Sequence, residues 1–175
     1  MMRIDTPISP DVIEKLNVGM QIEIYGRVLC GRDAVLPKLV QLARKNDPMI
    51  EEIGLDGAVI FHTAVSPAGI GPTSSNKVEI EASIPELAMA GVRMHVGKGA
   101  LSPATIEALK HNHSVFAVTP PVSALFTDRT IAKKVIAFEE EGMEALFAIH
   151  VKQLPVIIAV AHGRSIFSGN GEERA

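Results

Sequence analysis

The sequence is short of cysteine, of net charge and of long apolar runs, and each shortage closes off a class of function. Cys30 is the only cysteine in 175 residues. One thiol allows no internal disulfide framework and no set of thiolates for an iron-sulfur cluster or a thiolate zinc site, so any such metal must come from another chain. A formal net charge of -3 supplies no basic field for counterion-release binding, which argues against a nucleic-acid partner. No apolar run approaches the roughly 20 residues of a membrane helix. The opening "MMRIDTPISPDVIEKL" carries charges where a signal peptide is apolar. The expectation is a cytoplasmic chain that does not enter a membrane. Repeats, low-complexity tracts and linkers are missing as well, up to the polar "SGNGEERA". Residues 1–168 therefore read as one domain, and 169–175 as a tail that frays.

What is present fits a compact domain. Hydrophobic residues make up 47% and charged residues 21%, ordinary proportions for a chain long enough to bury a real core. "MQIEIYGRVLC" from Met20 alternates as a half-buried strand, and "DAVLPKLVQLARKND" follows at helical spacing, with Pro37 tolerable only in the first turn. "GAVIFHTAV" from Gly57, "RMHVGKG" from Arg93 and "SVFAVTP" from Ser114 read as short strands. "LSPATIEALKHN" reads as a helix capped by Ser102, with Pro103 at its first position. "IAKKVIAFEEEGMEALFAIHVK" is helical in composition, broken at Gly142, and "LPVIIAVAHG" is a buried strand closed by glycine. Strands alternating with helices predict a single-domain α/β fold with a covered sheet.

Three glycine-plus-cation spots, "CGRDA" from Cys30, "GIGPTSSNK" from Gly69 and "GKGA" from Gly97, fall at strand ends or in the turns after them. Ligands of α/β folds gather there. Free backbone amides, hydroxyls and the cations Arg32, Lys77 and Lys98 suit an anion, and a small dicarboxylate in particular.

These motifs, together with "EALFAIHVKQLPVIIAVAHG" near the end, resemble the β subunit, or C-terminal domain, of class I fumarases and L-tartrate dehydratases over nearly the whole chain. The resemblance implies a swivelling β/β/α domain. It also implies a separate α subunit carrying a 4Fe-4S cluster that this chain does not ligate, and hence a hetero-oligomer. The implied reaction is reversible dehydration of a small 2-hydroxy dicarboxylate, malate-like or tartrate-like, with the cluster taking the substrate hydroxyl. Carried over residue by residue, Arg32 grips a substrate carboxylate and Thr73 exchanges the carbon-bound proton. Lys98 supplies the positive charge that a threonine alkoxide needs. Gly71, Ser74 and Lys77 join Arg32 as substrate-binding residues.

The chain departs from the family pattern at Lys77, where the family has arginine. It departs again at Leu36, Pro37 and Lys38, where the family has histidine and basic residues, and at Pro120-Pro121, where a glycine pair is usual. The alternative reading is a non-catalytic diverged paralogue that binds anions or acts as a scaffold.

Other features have plainer readings. Arg32 by itself is a helix-start residue paired with Asp33, and "KVEIE" from Lys77 begins a strand. His111 and His113 in "HNH" form a polar helix end, and the remaining four histidines are core or edge residues. "EEEG" from Glu139 is a solvated helix face, and Cys30 is a buried small residue.

Overall fold

A computed structural model describes residues 1–66, 69–73, 77–119 and 128–167. The chain opens with β1 (Met2–Asp5), α1 (Pro10–Glu14), β2 (Gln21–Cys30), α2 (Leu36–Arg44) and α3 (Met49–Ile53). There follow β3 (Val59–Phe61), β4 (Thr63–Ser66), β5 (Gly69–Thr73), α4 (Lys77–Met89), β6 (Met94–Gly97) and α5 (Pro103–His111). The last part holds β7 (Val115–Val118), β8 (Thr130–Ala137), a 3-10 helix (Glu139–Glu144), β9 (Leu146–Ala161) and β10 (Arg164–Ser165).

The sheet closes on itself. β2, β3, β6 and β7 run parallel in that order, and β9 returns antiparallel to β7 on one side and to β2 on the other. Strands β1, β8 and β10 extend this ring, and β4 and β5 form a separate hairpin. The expected α/β domain is present, and its sheet is a barrel rather than an open layer.

Strand alternation explains the closure. Ile22, Ile24, Val28 and Cys30 of β2, Val59 and Phe61 of β3, Met94 and Val96 of β6, and Ile149 and Val151 of β9 share one core, the barrel interior. The other strand faces are covered by helices: Leu29 and Ile60 pack with Leu36 and Leu39 of α2 and Leu87 of α4, and Phe116 packs with Ile84 of α4 and Leu109 of α5. Burying an aliphatic side chain in this way is worth about 1.5–3 kcal/mol. The β4–β5 hairpin docks through Val65 and Ile70, which are buried in the interior core.

Residues 131–152 correct the sequence reading. This stretch is two antiparallel strands, β8 and the start of β9, joined by the 3-10 helix. Left-handed Phe138 (φ 56) and Gly142 (φ 60, ψ -120) stop any α-helix from crossing it. The Ile and Val content suits pairing, and β9 has β2 on one side and β8 on the other. The expectation of a strand at "KVEIE" is also overturned, since Lys77 is the first residue of α4 and the helix runs on past an internal Pro85. Pro120 and Pro121 lie outside the described residues, as does the tail.

Candidate active site

The register places the three glycine motifs at one end of the barrel. Cys30, Phe61 and Val96 form a continuous row across the parallel strands β2, β3 and β6. Two residues beyond that row along each chain come Arg32, Thr63 and Lys98. Thr63 is in turn the ladder partner of Thr73 across the β4–β5 hairpin. The hairpin strand β4 therefore follows directly from β3, between the strand that delivers Arg32 and the strand that delivers Lys98, and its partner β5 carries Thr73. Gly71 lies on the same strand β5, and Lys77 opens α4 four residues after Thr73. Ser74 lies outside the described residues.

Two of the motif glycines have a packing reason. A Cβ at Gly31 would lie 2.8 Å from Val35 Cγ2 and 3.2 Å from Leu146 Cδ1. One at Gly97 would lie 3.2 Å from the Phe116 ring. The Gly31 amide is not left free for an anion, as the motif alone suggested, because it donates to the Phe61 carbonyl at 3.1 Å. Gly99 is different: its φ of +84 turns the loop after Lys98.

Arg32 is partly buried, and its backbone carbonyl accepts the amides of Val35 and Leu36, both at 3.0 Å, which fixes the start of the turn into α2. Its charge partner is Glu144 at the end of the 3-10 helix, with Nε to Oε1 at 2.7 Å, and not the neighbouring Asp33. The Nε–H is not aligned on that oxygen, so this is a close charge contact rather than a directed hydrogen bond. Lys38 reaches the same acidic helix, at 2.6 Å from Glu141 and 3.4 Å from Glu140. The "EEEG" run is thus tied by ion pairs to the segment after β2. Leu36, a position where the chain departs from the family pattern, is only 2% exposed and belongs to the core.

Lys98 is exposed at the end of β6. Its loop is anchored downstream, where Ser102 N–H donates to Glu81 Oε1 of α4 at 2.9 Å and Thr105 Oγ1 donates to Oε2 at 3.4 Å. Ser102 also caps α5 as expected, accepting from Thr105 N–H.

His62 and His95 lie beneath this end of the barrel. Both are fully buried, and His62 Nε2 is 3.0 Å from His95 Nδ1. Burial pushes His62 down to about 4 and holds His95 well below its ordinary 6.5, with His62 adding to the effect. The outer nitrogens, His62 Nδ1 and His95 Nε2, have no hydrogen-bond partner among the described residues. Each such buried group costs about 1–3 kcal/mol. His113 of the "HNH" stretch lies 3.0 Å from Glu14 on the surface. Among the described residues no group of three His, Cys, Asp or Glu side chains is placed to hold a metal. Cys30 is fully buried and its thiol is pushed far above its usual value, so it offers no thiolate. No helix among the described residues is long and apolar enough to cross a membrane.

Sequence reasoning singled out Arg32, Thr73, Lys77 and Lys98 but missed Glu144, Glu81 and the histidine pair. Glu144 sits in an acidic run that resembles a solvated face, and nothing local marks it as a partner of Arg32, 112 positions away.

The fumarase C-terminus family profile matches residues 1–170. The chain is 27% identical over 179 residues to the L(+)-tartrate dehydratase subunit beta of Escherichia coli (strain K12), covering 94% of this chain and 86% of that protein. It is 25% identical over 180 residues to the putative fumarate hydratase class I of Geobacillus stearothermophilus, covering 95% of this chain but 33% of that protein. It is 23% identical over 150 residues to fumarate hydratase 2 of Leishmania major, covering 82% of this chain and 26% of that protein. With a profile match over nearly its whole length, the chain belongs to the fumarase C-terminus family.

Proposed function

We propose that this chain is the β-type subunit of a cytoplasmic hydro-lyase that reversibly removes water from a small 2-hydroxy dicarboxylate, with a domain of the swivelling β/β/α type. The observation that carries the reading is the shared row: Arg32 and Lys98 follow the ends of β2 and β6, and the strand between them leads into the hairpin that bears Thr73. A guanidinium, a hydroxyl and an ammonium at one barrel end suit a substrate with a carboxylate beside an acidic carbon–hydrogen bond.

In this reading Arg32 binds and orients a carboxylate, and Lys77, Gly71 and Ser74 bind the far end of the substrate. The Thr73 hydroxyl, as alkoxide, takes the proton from the carbon next to the carboxylate, and the ammonium of Lys98 keeps that alkoxide accessible by stabilising its charge. The residues of this chain do not fit a metal cluster, since Cys30 is buried and offers no thiolate. The 4Fe-4S cluster that the family resemblance implies belongs in this reading to a separate α subunit, and no step on this chain depends on it. The beta-subunit name of the Escherichia coli relative supports a two-chain enzyme.

The test is anaerobic co-expression with an α-type chain bearing three cluster cysteines, followed by hydration assays over a panel of unsaturated diacids. Turnover of at least one diacid by the pair, and by neither chain alone, is expected. A stable pair that binds diacids but turns over none supports the anion-binding paralogue instead.

A further inference from the structure

Beyond the last paired row of β3 and β6, one backbone bond continues the ladder, from His62 N–H to the Val96 carbonyl at 2.9 Å. The next link between the two chain ends is the ring contact, His62 Nε2 to His95 Nδ1 at 3.0 Å, with the rings tilted by 47°. His62 directly precedes Thr63, the ladder partner of Thr73, and His95 stands three residues before Lys98. A Cβ at Gly97 would lie 4.0 Å from the His62 Cβ, so the last residue of β6, next to Lys98 in the chain, packs against the base of the His62 side chain.

We infer that the His62–His95 pair is a positioning clamp that keeps the strand end leading to Thr73 in step with the strand end leading to Lys98. The inference rests on the reading of those two residues as the proton-handling groups, and neither histidine touches substrate in it.

The chemistry of the pair favours positioning over simple space filling. Two leucines would fill the buried space with no polar atom left unpaired, whereas the outer nitrogen of each ring has no partner among the described residues. What the histidines add is direction. An N–H···N bond fixes the separation and the angle of two rings, while aliphatic contacts allow the strands to slide. A neutral pair also puts no charge beneath Lys98.

The link has a consequence for the ring protons. If His62 Nε2–H donates, His95 accepts at Nδ1 and carries its own proton on Nε2. If His95 Nδ1–H donates, His62 accepts at Nε2 and carries its proton on Nδ1. Both rings therefore hold the same tautomer, and neither can change alone.

The test uses the full chain and its reconstituted complex. In ¹⁵N histidine spectra of the wild-type chain, the two buried rings should show one shared tautomer, without averaging, from pH 6 to 8. Unlike or averaging tautomers overturn the clamp, and this measurement needs no variant to fold. His95→Phe removes the link at similar volume. It should lower kcat at least tenfold with KM within about twofold, and speed amide exchange at residues 63–65 and 98–100 about tenfold while leaving β1 unchanged. His95→Asn places an oxygen where Nδ1 accepts, and should keep kcat within about threefold of wild type. A His95→Phe protein with wild-type kcat and wild-type exchange overturns the inference. If the wild-type complex turns over no diacid, the proposed reaction fails, and the tautomer and exchange measurements still decide the clamp.

Discussion

Arg32 Nε lies 2.7 Å from Glu144 Oε1, a charge contact that joins the segment after β2 to the end of the 3-10 helix. In the proposed reading the guanidinium takes a substrate carboxylate through its terminal nitrogens, and the contact with Glu144 orients it. The pair is about one-third exposed on both sides, so its own contribution is on the order of 0.2–1 kcal/mol. Glu144→Gln should therefore raise KM for the diacid by about two- to fivefold with kcat little changed. Arg32→Met removes a charge-assisted contact worth about 1.5–3 kcal/mol and should raise KM by about 10- to 150-fold. Steady-state kinetics of both variants in the complex check this. A fall in KM for Glu144→Gln would identify Glu144 as a competitor for Arg32 rather than its orienter.

In the proposed mechanism the Thr73 hydroxyl acts on a proton in transit, so Thr73→Ala should lower kcat by about 100-fold or more with substrate binding nearly intact. Lys98→Met should resemble it if the ammonium stabilises the alkoxide. A solvent-deuterium wash-in assay separates the roles: both variants should lose exchange at the substrate carbon in step with turnover. Wash-in at the wild-type rate in Thr73→Ala would move the base elsewhere.

Much of this site was readable because its carriers are local. The strand endings at Cys30 and Gly97 and the Ser102-Pro103 helix start are each marked by residues adjacent in the chain. Residues 131–152 misled for a physical reason: Ile131, Val135, Ile136, Phe147, Ile149 and Val151 fit both a helical and a strand period, and only pairing to β2 and β8 decides. Glu144 and the histidine pair were hidden because their meaning is non-local. His62 and His95 are 33 residues apart, and only the parallel register of β3 and β6 brings their rings together. Leu36 reads in the sequence as a departure from the family pattern, and the turn that starts at Arg32 rolls it into the core.

Lys77 opens α4, and the substitution Lys77→Arg tests whether it faces substrate. An ammonium at that position gives a point charge where a guanidinium gives a two-pronged grip. In an active complex Lys77→Arg should change the ratio of kcat/KM between fumarate and a hydroxylated or bulkier diacid by at least several-fold, a difference of about 1 kcal/mol in transition-state binding. An unchanged ratio across the panel would place Lys77 outside the pocket.

The histidine pair predicts how stability depends on pH. His62 is held at about 4 by burial and His95 well below 6.5, whereas both take the ordinary 6.5 once unfolded. Between these values the unfolded chain binds more protons than the folded one, so stability rises with pH in that window. It is fully present above about 6.5 and is lost as pH falls toward 4, with each histidine contributing up to about 1.4 kcal/mol per pH unit. Between pH 7 and pH 5, where most carboxylates are still ionised, the wild-type chain should lose about 2 kcal/mol or more by urea unfolding. The double variant His62→Leu/His95→Phe should lose much less over the same range, whatever its absolute stability. The surface pair His113–Glu14 is present in both proteins and cancels in the comparison. Parallel pH profiles for the two proteins would show that these rings are not forced to stay neutral on folding.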